Sequence, residues 1–169
     1  MVIRQEEQCD YEAVYRLVKE AFATAEHSDG NEQELVTALR NSSSFIPELS
    51  LVAFEDGIAV GHILFTKVYI GECEELALAP LSVIPAYQRK GIGQALMKEG
   101  HDIARKMGYD YSIVLGHPQY YPKAGYVPAY MYGIKAPFDV PDENYMAIRL
   151  NDRAKRIDGI VRYDNAFGI

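Results

Sequence analysis

The sequence predicts an α/β (α+β) fold, a mixed sheet with helices packed on it. Three observations predict it. An apolar stripe at helical spacing runs through Val14, Leu17, Val18, Ala21 and Phe22. Three long β-type runs follow at residues 49–54, 58–68 and 75–83, the first two joined by the hairpin signal Glu55-Asp56-Gly57. A second stripe, Ile92, Ala95, Leu96, Ile103 and Met107, then ends at Gly108.

The remaining elements fall in order around these. Residues 2–4 open as a short strand, and Asp10 is placed to cap the first helix. The stretch 26–30 breaks that helix, and Asn31 is placed to cap a second, with Leu35, Val36 and Leu39 facing inward. Residues 111–115 read as a buried strand and 120–124 as a short helical turn. Residues 127–134 and 145–150 read as a closing strand pair. No repeat, low-complexity run or linker divides the chain into two domains. Ile157, Ile160, Val161, Tyr163 and Phe167 suggest that the tail, residues 151–169, folds back or packs on a second copy, as in a homodimer.

The 169 residues suit one compact domain, and 49% hydrophobic with 24% charged residues suits a real core. A net charge of -7 argues against nucleic-acid binding, which needs clustered Lys and Arg. It agrees with a cationic or amine partner, although plain solubility explains it as well. Cys9 and Cys73 are too few for a disulfide framework and read as free thiols in a reducing compartment. No uncharged apolar run reaches membrane-spanning length and no leader pattern is present, so the expectation is a cytoplasmic protein away from membranes.

The strand at 75–83 contains a fault. Leu76 and Leu78 point one way, and regular alternation would send Leu81 and Val83 the other way. The phase slips at Ala79-Pro80, and proline is confined to edges and bulges. A bulge would keep all four side chains inward and leave backbone groups unpaired beside a neighbouring strand. An inserted ligand with amide groups would satisfy them. An edge strand with an ordinary kink reads the same data equally well.

A turn, residues 83–93, joins that strand to the second amphipathic helix. Gly91 and Gly93 let the backbone curl with its N–H groups inward, and a nest at a helix start holds anions. Arg89 and Lys90 add positive charge, so the ligand is a phosphate or pyrophosphate. A dinucleotide fingerprint would need a third glycine where Leu96 stands, and a P-loop would need Lys-Ser/Thr after its last glycine. Both patterns fail, and an ordinary helix-opening turn remains the alternative.

Val83-x-Pro85-x-x-Gln88-x-x-Gly91-x-Gly93 resembles motif A of the GNAT acetyltransferases, in the strand–loop–helix context that family uses. Tyr120-Tyr121-Pro122-Lys123-Ala124-Gly125-Tyr126 resembles a second signature of the same family. The resemblance covers roughly residues 1 to 150. It implies a GNAT-type fold: a mixed, largely antiparallel twisted sheet flanked by helices, with a bulged central strand splayed from its neighbour. It implies acetyl-CoA as cosubstrate, with no metal. The CoA pyrophosphate would lie on Gln88, Arg89, Lys90, Gly91, Ile92 and Gly93, and on the first helical residues Gln94 and Ala95. The pantetheine arm would pair with Leu81, Ser82 and Val83. Tyr121 would protonate the departing thiolate.

The implied reaction is direct attack of an amine, carried by a small molecule or a protein, on the thioester. Such an amine loses a proton, so a general base helps, and a backbone N–H near the bulge can hold the carbonyl oxygen. Glu75, opening the bulged strand, is the first candidate for that base. Glu26, His27 and His117 follow it. His62 reads as a satisfied core or surface histidine, and His101 as solvated. Tyr126, Tyr130 and Tyr132 either line an acceptor pocket or cover the sheet. Without a working acceptor pocket, the same turn would serve a non-catalytic acyl-CoA sensor or interaction module.

Overall fold

The computed structural model describes residues 1–26 and 28–169. In chain order the main elements are β1 (Val2–Gln5), α1 (Tyr11–Phe22), α2 (Glu32–Arg40), β2 (Phe45–Glu55), β3 (Ile58–Ile70), β4 (Cys73–Val83), α3 (Ile92–Lys106), β5 (Tyr111–Leu115), β6 (Val127–Pro128), β7 (Ile134–Lys135), β8 (Tyr145–Arg149) and β9 (Gly159–Arg162). The sheet runs β1-β2-β3-β4-β5-β8-β6, with β9 added beside β3 and β7. Pairing is antiparallel except between β4 and β5 and between β7 and β9.

Periodicity explains how the layers close. α3 turns Ile92, Leu96, Met97 and Ala104 toward Phe65, Leu76, Leu78 and Val114 on one face of the sheet. Burial of each large apolar side chain there contributes about 1.5–3 kcal/mol. α1 and α2 cover the other face, setting Val14, Leu17, Val18, Val36 and Leu39 against Val52 and Leu64. A third cluster, around Tyr111, Ile134, Tyr145 and Val161, fixes the end of the chain to the far part of the sheet. There β9 pairs Val161 with Ile70 and Arg162 with Tyr69.

Several expectations change. The predicted strand at 127–134 is two short pieces, β6 and β7, parted by a helical turn at Ala129–Tyr132. Pro128 and the left-handed Gly133 bound that turn, so no ladder can run through it. Asp10 does not cap α1 with its side chain. Its carboxylate instead takes Arg4 at 2.7 and 3.0 Å and the Glu7 N–H at 2.8 Å. Asn31 makes no side-chain cap either. His101 is not solvated. It is 5% exposed and its Nε2 lies 2.9 Å from the Tyr126 hydroxyl, so burial pushes its pKa down to about 4. His62 is a core residue, with Nε2 3.0 Å from Ser50 Oγ and 3.5 Å from Glu6 in the buried Glu6–Arg40 pair.

Candidate active site

The fault in β4 is a bulge. On the β3 side the register steps from Phe65↔Leu78 to Ile63↔Leu81, so Ala79 and Pro80 together stand opposite Leu64. Leu76, Leu78, Leu81 and Val83 all join the α3-facing core as a result. On the other side β4 pairs with β5 only at Leu76↔Ser112 and Ala77↔Ile113. Beyond these positions β5 keeps β8, through Leu115↔Tyr145, and β4 keeps β3, through Val83↔Gly61. The two strands therefore part, and one backbone edge of each faces a gap.

The turn after β4 lies at the mouth of that gap. Arg89 (φ 62) and Gly91 (φ 83) both adopt the left-handed conformation, which curls the chain back on itself. The first helical bond of α3 runs from Ala95 N–H to Gly91 O at 3.0 Å. The N–H groups of Ile92, Gly93 and Gln94 precede it and have no carbonyl within the helix to reach. Ala95, expected to help hold the anion, is thereby engaged. Gln88 Nε2 donates to Val83 O at 3.0 Å and ties the turn to the strand. A Cβ on Gly93 would collide with the Tyr120 hydroxyl, so only glycine leaves that floor open. Gln94 Nε2 is buried here without a partner.

Three adjoining cavities meet at this point. The turn cavity, about 650 Å³, is lined by Leu81, Val83, Gln88, Arg89, Gly91–Gln94 and also by Tyr120, Tyr121 and Lys123. The crevice between the parted strands lies among Leu81–Val83, Leu115–His117 and the C-terminal end of α1. The third and largest, about 810 Å³, extends between α1, α2 and the chain's last residues. Leu81 and Tyr121 line all three.

Tyr121 opens a helical turn at Tyr121–Ala124 and packs edge-on against Tyr120 and Tyr126, at 5.1 and 5.8 Å between ring centres. Its ring lies directly on Gly116, where a Cβ would overlap it. Burial raises its pKa above the ordinary tyrosine value, so the phenol stays protonated. Of the expected anion-binding residues, Lys90 stands apart. Its Nζ lies 5.0 Å from the centre of the Tyr87 ring at the rim, and it does not line the turn cavity. Lys123 and Tyr120 line that cavity instead. Their signal was present in the second signature, where Lys123 is its basic position.

Glu75 is not brought to the site. It precedes Leu81 by six extended residues, roughly 20 Å of strand. Its Oε1 accepts the N–H groups of Asp110 at 3.0 Å and Tyr111 at 3.1 Å, where β5 begins beside β4. It is 4% exposed, and burial pushes its carboxyl up to about 7. Glu26 lines the large cavity and His117 the crevice, where its Nδ1 accepts the Gln119 N–H at 3.1 Å. His27 lies outside the described residues. Tyr126 is a core side chain, whereas Tyr130 is exposed and Tyr132 packs on Tyr111.

A bulged strand, a cleft between parted strands and a helix start with free N–H groups make one continuous arrangement with room for a long, anionic ligand. Residues 11–126 match the model of the acetyltransferase (GNAT) family, and the chain belongs to that family. Over 118 residues it is 44% identical to the uncharacterized N-acetyltransferase YjhQ of Escherichia coli; that match spans 67% of this chain and 65% of YjhQ. It is 30% identical to the uncharacterized N-acetyltransferase YhbS of Escherichia coli, over 99% of this chain and 98% of YhbS. The crystal structure of YhbS in complex with CoA superposes with a TM-score of 0.90 at 26% identity, covering 99% of this chain and 92% of that one. A GNAT family acetyltransferase from Brucella melitensis, in complex with acetyl-CoA, gives a TM-score of 0.82 at 33% identity, covering 98% and 97%.

Proposed function

We propose that the chain transfers an acetyl group from acetyl-CoA to an amine, with the turn at 88–94 and the crevice beside Leu81–Val83 holding the cosubstrate. The observation that carries this reading is the meeting of three cavities at Leu81 and Tyr121. One suits an anion, one an extended arm and one an acceptor. The turn fits a diphosphate: it offers the N–H groups of Ile92, Gly93 and Gln94, the unpartnered Gln94 Nε2, and the side chains of Arg89 and Lys123. Acetyl-CoA supplies an activated acyl carbon on a thiol leaving group.

The chain's own residues then do the following. Leu81, Ser82 and Val83 present the free edge of β4 to the arm. Tyr121, at the junction, directs its phenol to the sulfur. The amine nitrogen bonds to the acyl carbon as the carbon–sulfur bond breaks, so the amine releases one proton and the sulfur takes one up. Because its pKa lies above the ordinary value, Tyr121 steadies the departing sulfur by donating a hydrogen bond and passes its proton over only as another arrives. Glu26 and His117 stand at exposed edges of the cavities, where water accepts the amine's proton. A non-catalytic acyl-CoA module is disfavoured by the size of the third cavity, which a mere binder would not need.

Calorimetry with purified protein tests the cosubstrate reading. Acetyl-CoA and CoA bind with micromolar affinity if it holds, and absence of binding at millimolar ligand ends it.

A further inference from the structure

The large cavity carries two unlike sets of lining residues. One is aromatic. Tyr163, Phe167 and Phe138 approach it from the last part of the chain, and Phe22 and Leu35 face them from α1 and α2. This wall is fixed. Tyr145 and Tyr163 share a hydrogen bond between their hydroxyls at 2.8 Å, Tyr163 meets Phe167 edge-on at 5.0 Å, and Phe138 meets Tyr145 at 5.8 Å. Ser44 Oγ donates to Asp164 at 2.7 Å, and Asp164 caps the turn that carries Phe167. An incoming ring therefore meets surfaces already in place, and edge-to-face contacts of this kind are worth about 0.5–1.5 kcal/mol each.

The other set is acidic: Glu26, Asp29, Glu32 and Glu34, with no Lys or Arg among the described lining residues. Glu32 accepts the Ser28 hydroxyl and Glu34 the Tyr15 hydroxyl, each on Oε1, while Glu32 Oε2 is shut off from solvent and has no hydrogen-bond partner. Carboxylates so grouped draw in a cation. The cavity, about 810 Å³, is of small-molecule size.

On the acetyl-transfer reading above, we infer that the acceptor is a small primary monoamine with an aromatic body, an arylalkylamine. The carboxylates gather it as the ammonium ion. The aromatic wall then takes the ring, and the nitrogen meets the acyl carbon at Tyr121. A polyamine could pair with the carboxylates but would leave the aromatic wall without a ring to meet.

The test is thiol release from acetyl-CoA with phenethylamine, spermidine and a short peptide bearing a free N-terminus. The expected kcat/KM for phenethylamine exceeds each of the others at least tenfold. Equal or better rates with spermidine or the peptide overturn the inference. So does no acceleration by phenethylamine when acetyl-CoA binds normally. Failure of acetyl-CoA to bind at all is a separate result, which removes the parent reading and this one with it. Phe167→Ala should raise the KM for phenethylamine at least fivefold while the KM for acetyl-CoA stays within twofold, and Phe167→Tyr should restore most of the loss. Phe138→Ala gives the same readout should the first variant fail to fold. An unchanged amine KM in a folded variant overturns the assignment.

Discussion

The two halves of β4 lie on one strand and serve opposite ends. The first half, through Ala77, pairs with β3 on one side and β5 on the other. Its carboxylate, Glu75, is spent on backbone N–H groups. The second half, after Pro80, pairs with β3 alone and leaves its other edge to a crevice. Two residues opposite one at the bulge separate these states. The comparison teaches that one strand can serve the core where both its edges are paired and border a crevice where one is not; its carboxylates, Glu74 and Glu75, both stand on the paired side of Pro80.

The sharpest way to break this comparison is at the open half. Tyr121→Phe should lower kcat about 100-fold, the scale of one acid–base contribution, while the Kd for CoA stays within about threefold. Equal loss of rate and binding would remove Tyr121 from the departing sulfur. A rate unaffected by the change would place the chemistry elsewhere.

The paired half responds in stability and not in chemistry. Burial raises the Glu75 carboxyl from its reference value of 4.5 to about 7 in the folded protein. Between those values the folded chain holds a proton that the unfolded chain has released. Its stabilising contribution is therefore full below about pH 4.5 and is lost as pH rises through about 7. Glu75→Gln keeps an oxygen for the two N–H donors and cannot ionise. Its melting temperature relative to wild type should climb between pH 5 and pH 8, by the equivalent of at most about 3 kcal/mol. The activity of the folded variant should match wild type. A large fall in kcat would return Glu75 to the catalytic site and erase the contrast between the halves.

The smallest effect belongs to the rim of the turn. Lys123→Ala should weaken CoA binding about three- to tenfold, with the difference shrinking as salt rises, because Lys123 is exposed and an exposed charge is screened. Lys90→Ala, outside the lined cavity, should change it less. The reverse order would mean that Lys90, and not Lys123, meets the phosphates.

Much of this frame was legible in the residues themselves. The stripe through Ile92 and Leu96 is set by local periodicity, and Pro80 betrays the bulge because a missing N–H is a property of one residue. Gly91 and Gly93 mark the anion turn for the same local reason. What escaped is nonlocal. Glu75 reads as a free carboxylate until the start of β5 arrives beside it. His101 lies on the helix flank opposite Ile92, and only Tyr126 and Phe65, brought in from elsewhere, cover it. The large cavity is lined from widely separated stretches of the chain that no spacing rule connects.

The strand β9 clips the end of the chain to the far part of β3, at the opposite end from the turn that follows β4. Phe138, Tyr163 and Phe167 all lie beyond the last residue of the family match, which closes at 126. The closing residues that would choose the acceptor thus lie on a different stretch of chain from the turn and crevice that would hold the cosubstrate. Drift or grafting in that closing segment can change which amine is taken while the acyl-transfer machinery stays as it is.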